Sequence, residues 1–458
     1  MSIARDIAEY VHSIDYDEVS DRTTHSAKRS IVDAFGCAIS GAKSQPAAIA
    51  LKTFGSSAWS GPASVLGTGK RFDPQIAAFI NGTMERFLDY NDTYDGKEFA
   101  HPSDNIFPLL AVAEAEKKKG SDALTAILLA YEIQCRLADS AALWKSGWDH
   151  VIYGLVSVSA AASRLMGLSA DKTEQAINIA LGSHLTMRQV RVGEISMWKA
   201  AVFANAARNA IFSAMLARNG MTGPSPIFEG ANGFVSLVAG KMDLDVRKFA
   251  TAKNDRFKIN ETLTKYWPAE TRAQAAIWCA ISLKGKIGSL DKIREIEVGT
   301  NEGGLRIIGS GAEKWNPKTK ETADHSLPYI VAVALMDGNV NINSFKRSRF
   351  TDRQTLQFMK KIKVVERKKY TNLFEKGGTV NANDITIITN DGKSFREEVI
   401  YPKGHPKNPM NDSELDSKFM SLAQAHLGRQ KSRLALDALW NFQHLSRLGS
   451  LFSIIKFK

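Results

Sequence analysis

The sequence predicts a mainly α protein: a large all-helical domain carrying an inserted, smaller α+β domain. Three observations carry this. Apolar residues keep helical spacing from the start to about residue 265. After Pro268 the pattern changes to short β-branched runs at 293–298 and 385–395, the second interrupted by Asp391-Gly392, a strong hairpin signal. From residue 412 helical spacing returns, so the α+β segment interrupts the helical one. The expected boundaries are 1–267 plus 403–458 for the helical domain and 268–402 for the insertion.

The elements follow in order. Asp73-Pro74 predicts an N-cap with proline at the first helical position, and Ile76, Phe79, Ile80, Phe87 and Leu88 keep helical spacing behind it. Further helices are expected at 105–119, 121–142, 152–167 and 171–186, several closing at a glycine such as Gly120 or Gly167. Segment 195–217 is Ala-rich and apolar nearly all round, which predicts a helix buried on most sides and stopping at Gly220. Lys199 and Arg208 are its only charges. One more helix, 269–284, opens the second domain. No internal repeat interrupts this order.

Composition bounds the function. A chain of 458 residues is too long for one ordinary domain, and 44% hydrophobic with 24% charged residues excludes a disordered or fibrous chain. Lys+Arg 60 against Asp+Glu 48 leaves +12, which attracts anions without choosing among nucleic acid, lipid and acidic metabolites. Cys37, Cys135 and Cys279 lie far apart and form no C-x-x-C, which excludes a zinc ribbon and argues against a disulfide framework or a Cys-ligated cluster. The first ten residues carry Asp6 and Glu9 and no apolar stretch, unlike a secretory or transit peptide. No uncharged apolar run reaches 18 residues, so no membrane span is expected. The expected address is the cytoplasm.

Three signals lead nowhere. Gly61 to Lys70 (GPASVLGTGK) resembles a phosphate loop, but Ser64 stands where its first Gly belongs and Arg71 where Ser or Thr belongs. Segment 346–369 is strongly basic, yet it offers only Phe350 and Phe358 for stacking and matches no recognition motif, so a solvated face is the better reading. The amphipathic tail from Phe452 suits docking on the body or a partner better than on a membrane.

The chemistry concentrates in 81–105, NGTMERFLDYNDTYDGKEFAHPSDN, which starts on a helix and runs into a polar loop with Arg86, Asp89, Asn91, Asp92, Thr93, His101 and Asp104. Loops this dense in donors, acceptors and titratable groups are commonly functional; the competing reading is a surface loop of local Asx turns. At these residues the chain resembles the MmgE/PrpD family, and within it the 2-methylcitrate dehydratases. LDYNDTYDGKEFAHPSDN (88–105) is similar to the family signature. GWDHVIYG (147–154), RVGEISMWKAAVFANAARN (191–209), KWNPKTKETADHSLPYIVAVAL (314–335) and YPKGHPKNPM (401–410) agree in order. The resemblance implies a homodimer whose inserted domain is a lid. It also implies a cofactor-independent hydro-lyase that dehydrates 2-methylcitrate, with citrate as a second candidate, to 2-methyl-cis-aconitate in propionate catabolism (the methylcitrate cycle). Decarboxylase-like members resemble a variant with His at Arg86 and Asp-Asp-Thr-Trp at 91–94; both features here follow the dehydratases. Arg272 is a departure, where dehydratases often show His.

The reaction itself dictates residue types. The proton beside a carboxylate is very weakly acidic and hydroxide leaves poorly, so a base, an acid and cations for the carboxylates are required. His101 suits proton transfer, because imidazole titrates near neutrality, and it sits on a polar loop outside the core helices. Asp89 and Thr93, i and i+4 if the turn stays helical, are placed to orient it and bind the hydroxyl. Lys199, Arg188 and Arg191 suit carboxylates, Arg by bidentate pairing. The resemblance adds Lys265, Arg86, Asn91 and His325 to the binding set, and Tyr329 and His150 to the proton-transfer set. Each has a plainer reading: His150 and Tyr329 as core residues, Lys265 as a solvated lysine, Asp324-His325 as a helix cap. The expected partners are a small tricarboxylate and a second copy of the chain, with no metal, nucleic acid or membrane. The rivals are a cis-aconitate decarboxylase and a basic helical scaffold that binds nucleic acid.

Overall fold

The computed structural model describes residues 2–55, 60–375 and 380–457; Met1 and Lys458, at the ends of two segments read in the sequence, lie outside them. The helical body runs α1 Ile3–Tyr10, α2 Asp21–Gly41, α3 Gln45–Phe54, α4 Pro74–Arg86, α5 Ile106–Ala115, α6 Gly120–Ser140, α7 Ile152–Leu165, α8 Ala170–Ser183 and α9 Val202–Arg218. α7 is buried along nearly its whole length and packs on α5, α6, α8 and α9. Small residues set the close approaches. Gly82 of α4 faces Ala204 of α9, and Gly41 at the end of α2 lies against the Met84 carbonyl, leaving no room for a Cβ. Two short antiparallel pairs decorate the body: β1 Ala63–Ser64 with β2 Arg71–Phe72, and β3 Tyr94–Asp95 with β4 Phe99–Ala100.

A second core begins with α10 Gln274–Ile287 and β5 Ile293–Thr300. Three short turns follow, α11 Glu302–Gly304, α12 Ala312–Trp315 and α13 Lys320–Ala323. Then come α14 Leu327–Asp337, α15 Arg347–Phe350, α16 Arg353–Met359, β6 Ile362–Glu366, α17 Lys368–Glu375, β7 Asn383–Thr389 and β8 Ser394–Val399. The sheet order is β6-β5-β7-β8, with β6 parallel to β5 and the other pairs antiparallel. Val298 sits opposite both Ile385 and Val364, so apolar residues of the inner strands line up beneath α10 and α14. The hairpin lies where Asp391-Gly392 predicts it, with Gly392 at φ +79.

The chain then returns to the first core. α18 Asp412–Trp440 runs along α2 and buries Leu415, Phe419 and Ala423 there, and α19 Gly449–Ile454 adds Leu451 and Phe452. The tail closes on the 61–70 loop, with Phe457 N donating to the Gly67 carbonyl at 3.0 Å. In the basic segment Arg349 pairs with Asp337 (2.9 Å) and Arg367 with Glu297 (2.7 Å) and Asp384 (3.0 Å), so much of its charge is neutralised locally.

Several expected elements change. The 105–119 helix stops at Ala115, and Gly120 opens α6 because the Phe442 carbonyl occupies the place of a side chain. Asp73 stands at the N-cap of α4 but its side chain makes no capping hydrogen bond. The helix expected from 269 starts at Gln274, after a 3₁₀ turn Thr271–Ala273. Most consequentially, 195–217 splits into a 3₁₀ turn, Met197–Ala200, and α9. Lys199 rides on the turn, and Met197, Trp198 and Phe212 remain exposed, so this segment is not buried all round. Arg208 stacks over Phe79 at 5.6 Å, away from the polar loop.

Candidate active site

The loop after α4 does not stay helical. α4 ends at Arg86, and Asp89 adopts φ +52, a left-handed conformation that Asp tolerates better than most residues. The expected i, i+4 alignment of Asp89 with Thr93 is therefore wrong. Thr93 instead exchanges backbone hydrogen bonds with Leu263 at 2.9 and 2.8 Å. The β3–β4 pair folds the chain back so that His101 Nδ1 comes within 3.4 Å of Thr93 Oγ1.

Asp89 is the hub of the loop. Lys199 Nζ lies 3.1 Å from Oδ1, Lys265 Nζ lies 3.1 Å from Oδ2 and donates to the Asp89 carbonyl at 2.8 Å, and Arg86 pairs with Oδ1. Burial alone would raise this carboxyl, but Lys199, Lys265 and Arg86 together hold it well below the usual range. It is a fixed anion, unsuited to moving protons. Burial in turn lowers the Lys199 ammonium to about 8 against the pull of Asp89, and lowers Lys265 as well. Arg86 also donates to Asn91 Oδ1 (3.1 Å), whose amide reaches Asp104 (2.9 Å) and Ser103 (3.0 Å).

His101 lies between β4 and a 3₁₀ turn, outside the core helices, and is buried there. Its Nδ1 lies 2.7 Å from the Asp92 carbonyl. A carbonyl only accepts, so Nδ1 carries the hydrogen and Nε2 keeps its lone pair. Burial first, then Arg86, Lys265 and His150, push this imidazole well below its ordinary value, so it is neutral at pH 7. The Asp92 carboxylate fixes that carbonyl by accepting from Tyr131 Oη (2.9 Å) and Ser103 N (3.0 Å).

Two more histidines face the same space. The His150 ring lies 5.5 Å from His101, near edge-to-face, and burial with Arg191 lowers it too. Its neighbour Asp149 accepts from Arg191 Nε (2.8 Å) and Arg188 (3.3 Å). His325 Nδ1 is 2.6 Å from Asp324 Oδ1, and Lys320 Nζ is 2.6 Å from Oδ2. Burial lowers His325 to about 4, even beside a carboxylate that Lys320 and Lys199 hold at about 2. The cap reading of this pair fails, because Ser326 caps α14 by accepting from Tyr329 N (3.2 Å).

One cavity gathers these groups. Arg86, Asp89, Thr93, His101, His150, Arg188, Arg191, Lys265 and His325 line it; Lys199 lies behind Asp89 and Asn91 behind Arg86. Tyr329 does not reach it. It is 0% exposed in the second core, with its ring beside Phe345 and its hydroxyl given to the Ser344 carbonyl, so it cannot touch a molecule in the cavity. The wall is completed by Arg272, noted in the sequence only as a departure from the dehydratases, and by Phe99, Glu270, Thr271 and Ile307, which were not among the expected site residues. Arg272 pairs with Glu270 and lies 3.7 Å over the Phe99 ring. Asp149 and Asp324 were legible as the acidic neighbours of His150 and His325; nothing in one sequence marks Phe99 or Ile307.

Charge defines what the cavity can take. Five lining cations, Arg86, Arg188, Arg191, Lys265 and Arg272, face two carboxylates, Asp89 and Glu270, leaving three positive charges in excess. Counting Lys199 and Asp149 behind them adds one to each side. The three histidines are neutral. The cavity has about 40 Å³ of room, little more than a water's share, and adjoins one of about 690 Å³ between the helical body and segment 272–375. Among the described residues no group of three or more His, Cys, Asp or Glu is arranged to hold a metal, and no helix is long and apolar enough to cross a membrane.

Comparison with known proteins gives the family. Residues 5–247 match the MmgE/PrpD N-terminal domain and residues 267–442 the MmgE/PrpD C-terminal domain. The mitochondrial 2-methylcitrate dehydratase of Yarrowia lipolytica is 29% identical over 428 residues, covering 88% of this chain and 80% of the relative. The 2-methylcitrate dehydratase of Escherichia coli is 28% identical over 396 residues, covering 81% and 80%. A cis-aconitate decarboxylase-like protein of Aspergillus oryzae is 24% identical over 486 residues, covering 99% and 97%. The chain belongs to the MmgE/PrpD family.

Proposed function

We propose that this dehydratase-type lyase removes water from 2-methylcitrate to give 2-methyl-cis-aconitate, by general acid/base elimination without a metal, as a step of propionate catabolism. The observation that carries the reading is the excess of three positive charges around a neutral, oriented histidine, which matches a tricarboxylate trianion. His101 Nε2 takes the proton beside a carboxylate. Arg188, Arg191 and Arg272 hold carboxylates, and their charge stabilises the developing carbanion. His150 or His325 delivers a proton to the leaving hydroxyl after substrate binding. The trianion raises the affinity of neighbouring imidazoles for protons, which offsets the lowering seen without it. Lys265 and Asp89 in the wall and Lys199 behind them set the field and are not proton carriers.

The inner cavity is smaller than a tricarboxylate, so the second domain acts as a lid that moves on substrate entry. The exposed Met197, Trp198 and Phe212, close to the turn that carries Lys199, suit the interface of a homodimer. The free, buried cysteines fit a reducing compartment, and we place the enzyme in the cytoplasm. The test is incubation with 2-methylcitrate and proton NMR of the product. A conjugated alkene formed with loss of water supports the reading; carbon dioxide release from cis-aconitate without any dehydration refutes it. Sedimentation of an active monomer at micromolar concentration would refute the dimer.

A further inference from the structure

The inner cavity is walled by charged and polar side chains with two exceptions. Among the described residues Phe99 and Ile307 are its only wholly apolar lining residues, and both also line the adjoining large cavity, as Arg188 and Arg272 do, which places them at the passage between the two. Each is held firmly. Phe99 has Arg272 over its ring at 3.7 Å and stacks on Phe374 of α17 at 5.8 Å with planes 10° apart, so two residues from beyond Pro268 hold this ring of the 81–105 loop. Ile307 sits in the single π-helical turn Leu305–Gly309, which is pressed against the sheet. A Cβ at Gly309 would lie 2.7 Å from Val364 of β6, and one at Gly304 would collide with Thr300 of β5. The turn therefore cannot swing away without losing its packing.

We infer that Ile307, with Phe99, forms the surface that receives the methyl group of the substrate and so sets the preference for 2-methylcitrate over citrate. The inference rests on the dehydratase reading above. The physical reason is the contrast within the wall. Carboxylates and the hydroxyl are matched by cations and imidazoles, but a methyl placed against Arg or Lys gains nothing and desolvates a charge. Against Ile307 and Phe99 it removes apolar surface from water on both sides. An unmethylated tricarboxylate leaves the same two side chains facing solvent. One such group in a fitted pocket is worth about 10–200-fold in kcat/KM.

The test compares kcat/KM for 2-methylcitrate and for citrate in the wild type, Ile307→Thr and Ile307→Phe. Taking the ratio within each protein cancels any loss of folded enzyme, and a melting curve checks the fold. Ile307→Thr, which keeps the branch but wets the wall, should lower the ratio by about 10-fold. Ile307→Phe should lower it as well, by filling the space the methyl needs. An unchanged ratio in both variants overturns the inference while leaving the dehydratase reading intact, and so does a wild type that handles both substrates equally. A wild type that dehydrates neither overturns both.

Discussion

Asp89 tests the electrostatics of the site most sharply, because three buried cations depend on one carboxylate. Asp89→Asn keeps the shape and the left-handed backbone, which Asn tolerates as well as Asp, so the change removes charge and little else. Arg86, Lys199 and Lys265 then face one another with no compensating anion at their centre. Breaking a buried ion pair from one side typically costs about 3–5 kcal/mol. A helical body of roughly 300 residues unfolds with an entropy of about 0.6 kcal/mol/K, so Tm should fall by about 5–8 °C. The loss should also depend on pH in a definite direction. Without Asp89 the two lysines are depressed further below their unfolded value near 10.4, so between those values the unfolded chain binds more protons than the folded one. Stability of the variant must then rise with pH in that window, and its deficit must shrink from pH 7 to pH 9. The assay is thermal unfolding of both proteins at the two pH values. A variant melting within about 1 °C of the wild type at pH 7, with no pH dependence of the difference, would refute the reasoning.

Three further outcomes follow from the same geometry. His101→Ala should lower kcat by about 10²–10⁴-fold with a much smaller change in KM, and retention of near-normal kcat would transfer proton abstraction to His150 or His325. The pH profile of kcat/KM should hold its plateau below pH 6.5, because His101 stays unprotonated there, and should decline above about pH 8 as Lys199 loses its charge; Lys199→Arg, which cannot deprotonate, should push that alkaline limb upward. Gly41→Ala should destabilise by about 1–3 kcal/mol in denaturant unfolding, since the new methyl meets the Met84 carbonyl where α2 crosses α4.

Much of the site was legible because its residues carry their chemistry in their type. His101, Arg86, Asp89 and Thr93 crowd one loop, and the blocks around His150, Arg191 and His325 announce themselves by sequence similarity. What failed did so for reasons of backbone and packing. Periodicity could not show that Asp89 leaves the helix for φ +52, or that Lys199 sits on a 3₁₀ turn ahead of α9, because both are local breaks inside otherwise helical patterns. Tyr329 matched the resemblance, yet its side of α14 faces the second core. Phe99 and Ile307 are common apolar residues whose meaning arises only when two distant segments meet. The large divisions were easier: the change of period after Pro268 and the hairpin at Asp391-Gly392 are long-range patterns that no single turn can disguise.

The most direct measurement is product analysis by NMR of 2-methylcitrate, citrate and cis-aconitate, each incubated with the wild type and with His101→Ala, in the presence of EDTA. The account predicts that the wild type converts 2-methylcitrate to an alkene with loss of water, that citrate reacts more slowly, that the chelator has no effect, and that His101→Ala nearly abolishes turnover. Itaconate and carbon dioxide from cis-aconitate as the only products, or activity lost to EDTA and restored by a divalent metal, would contradict it.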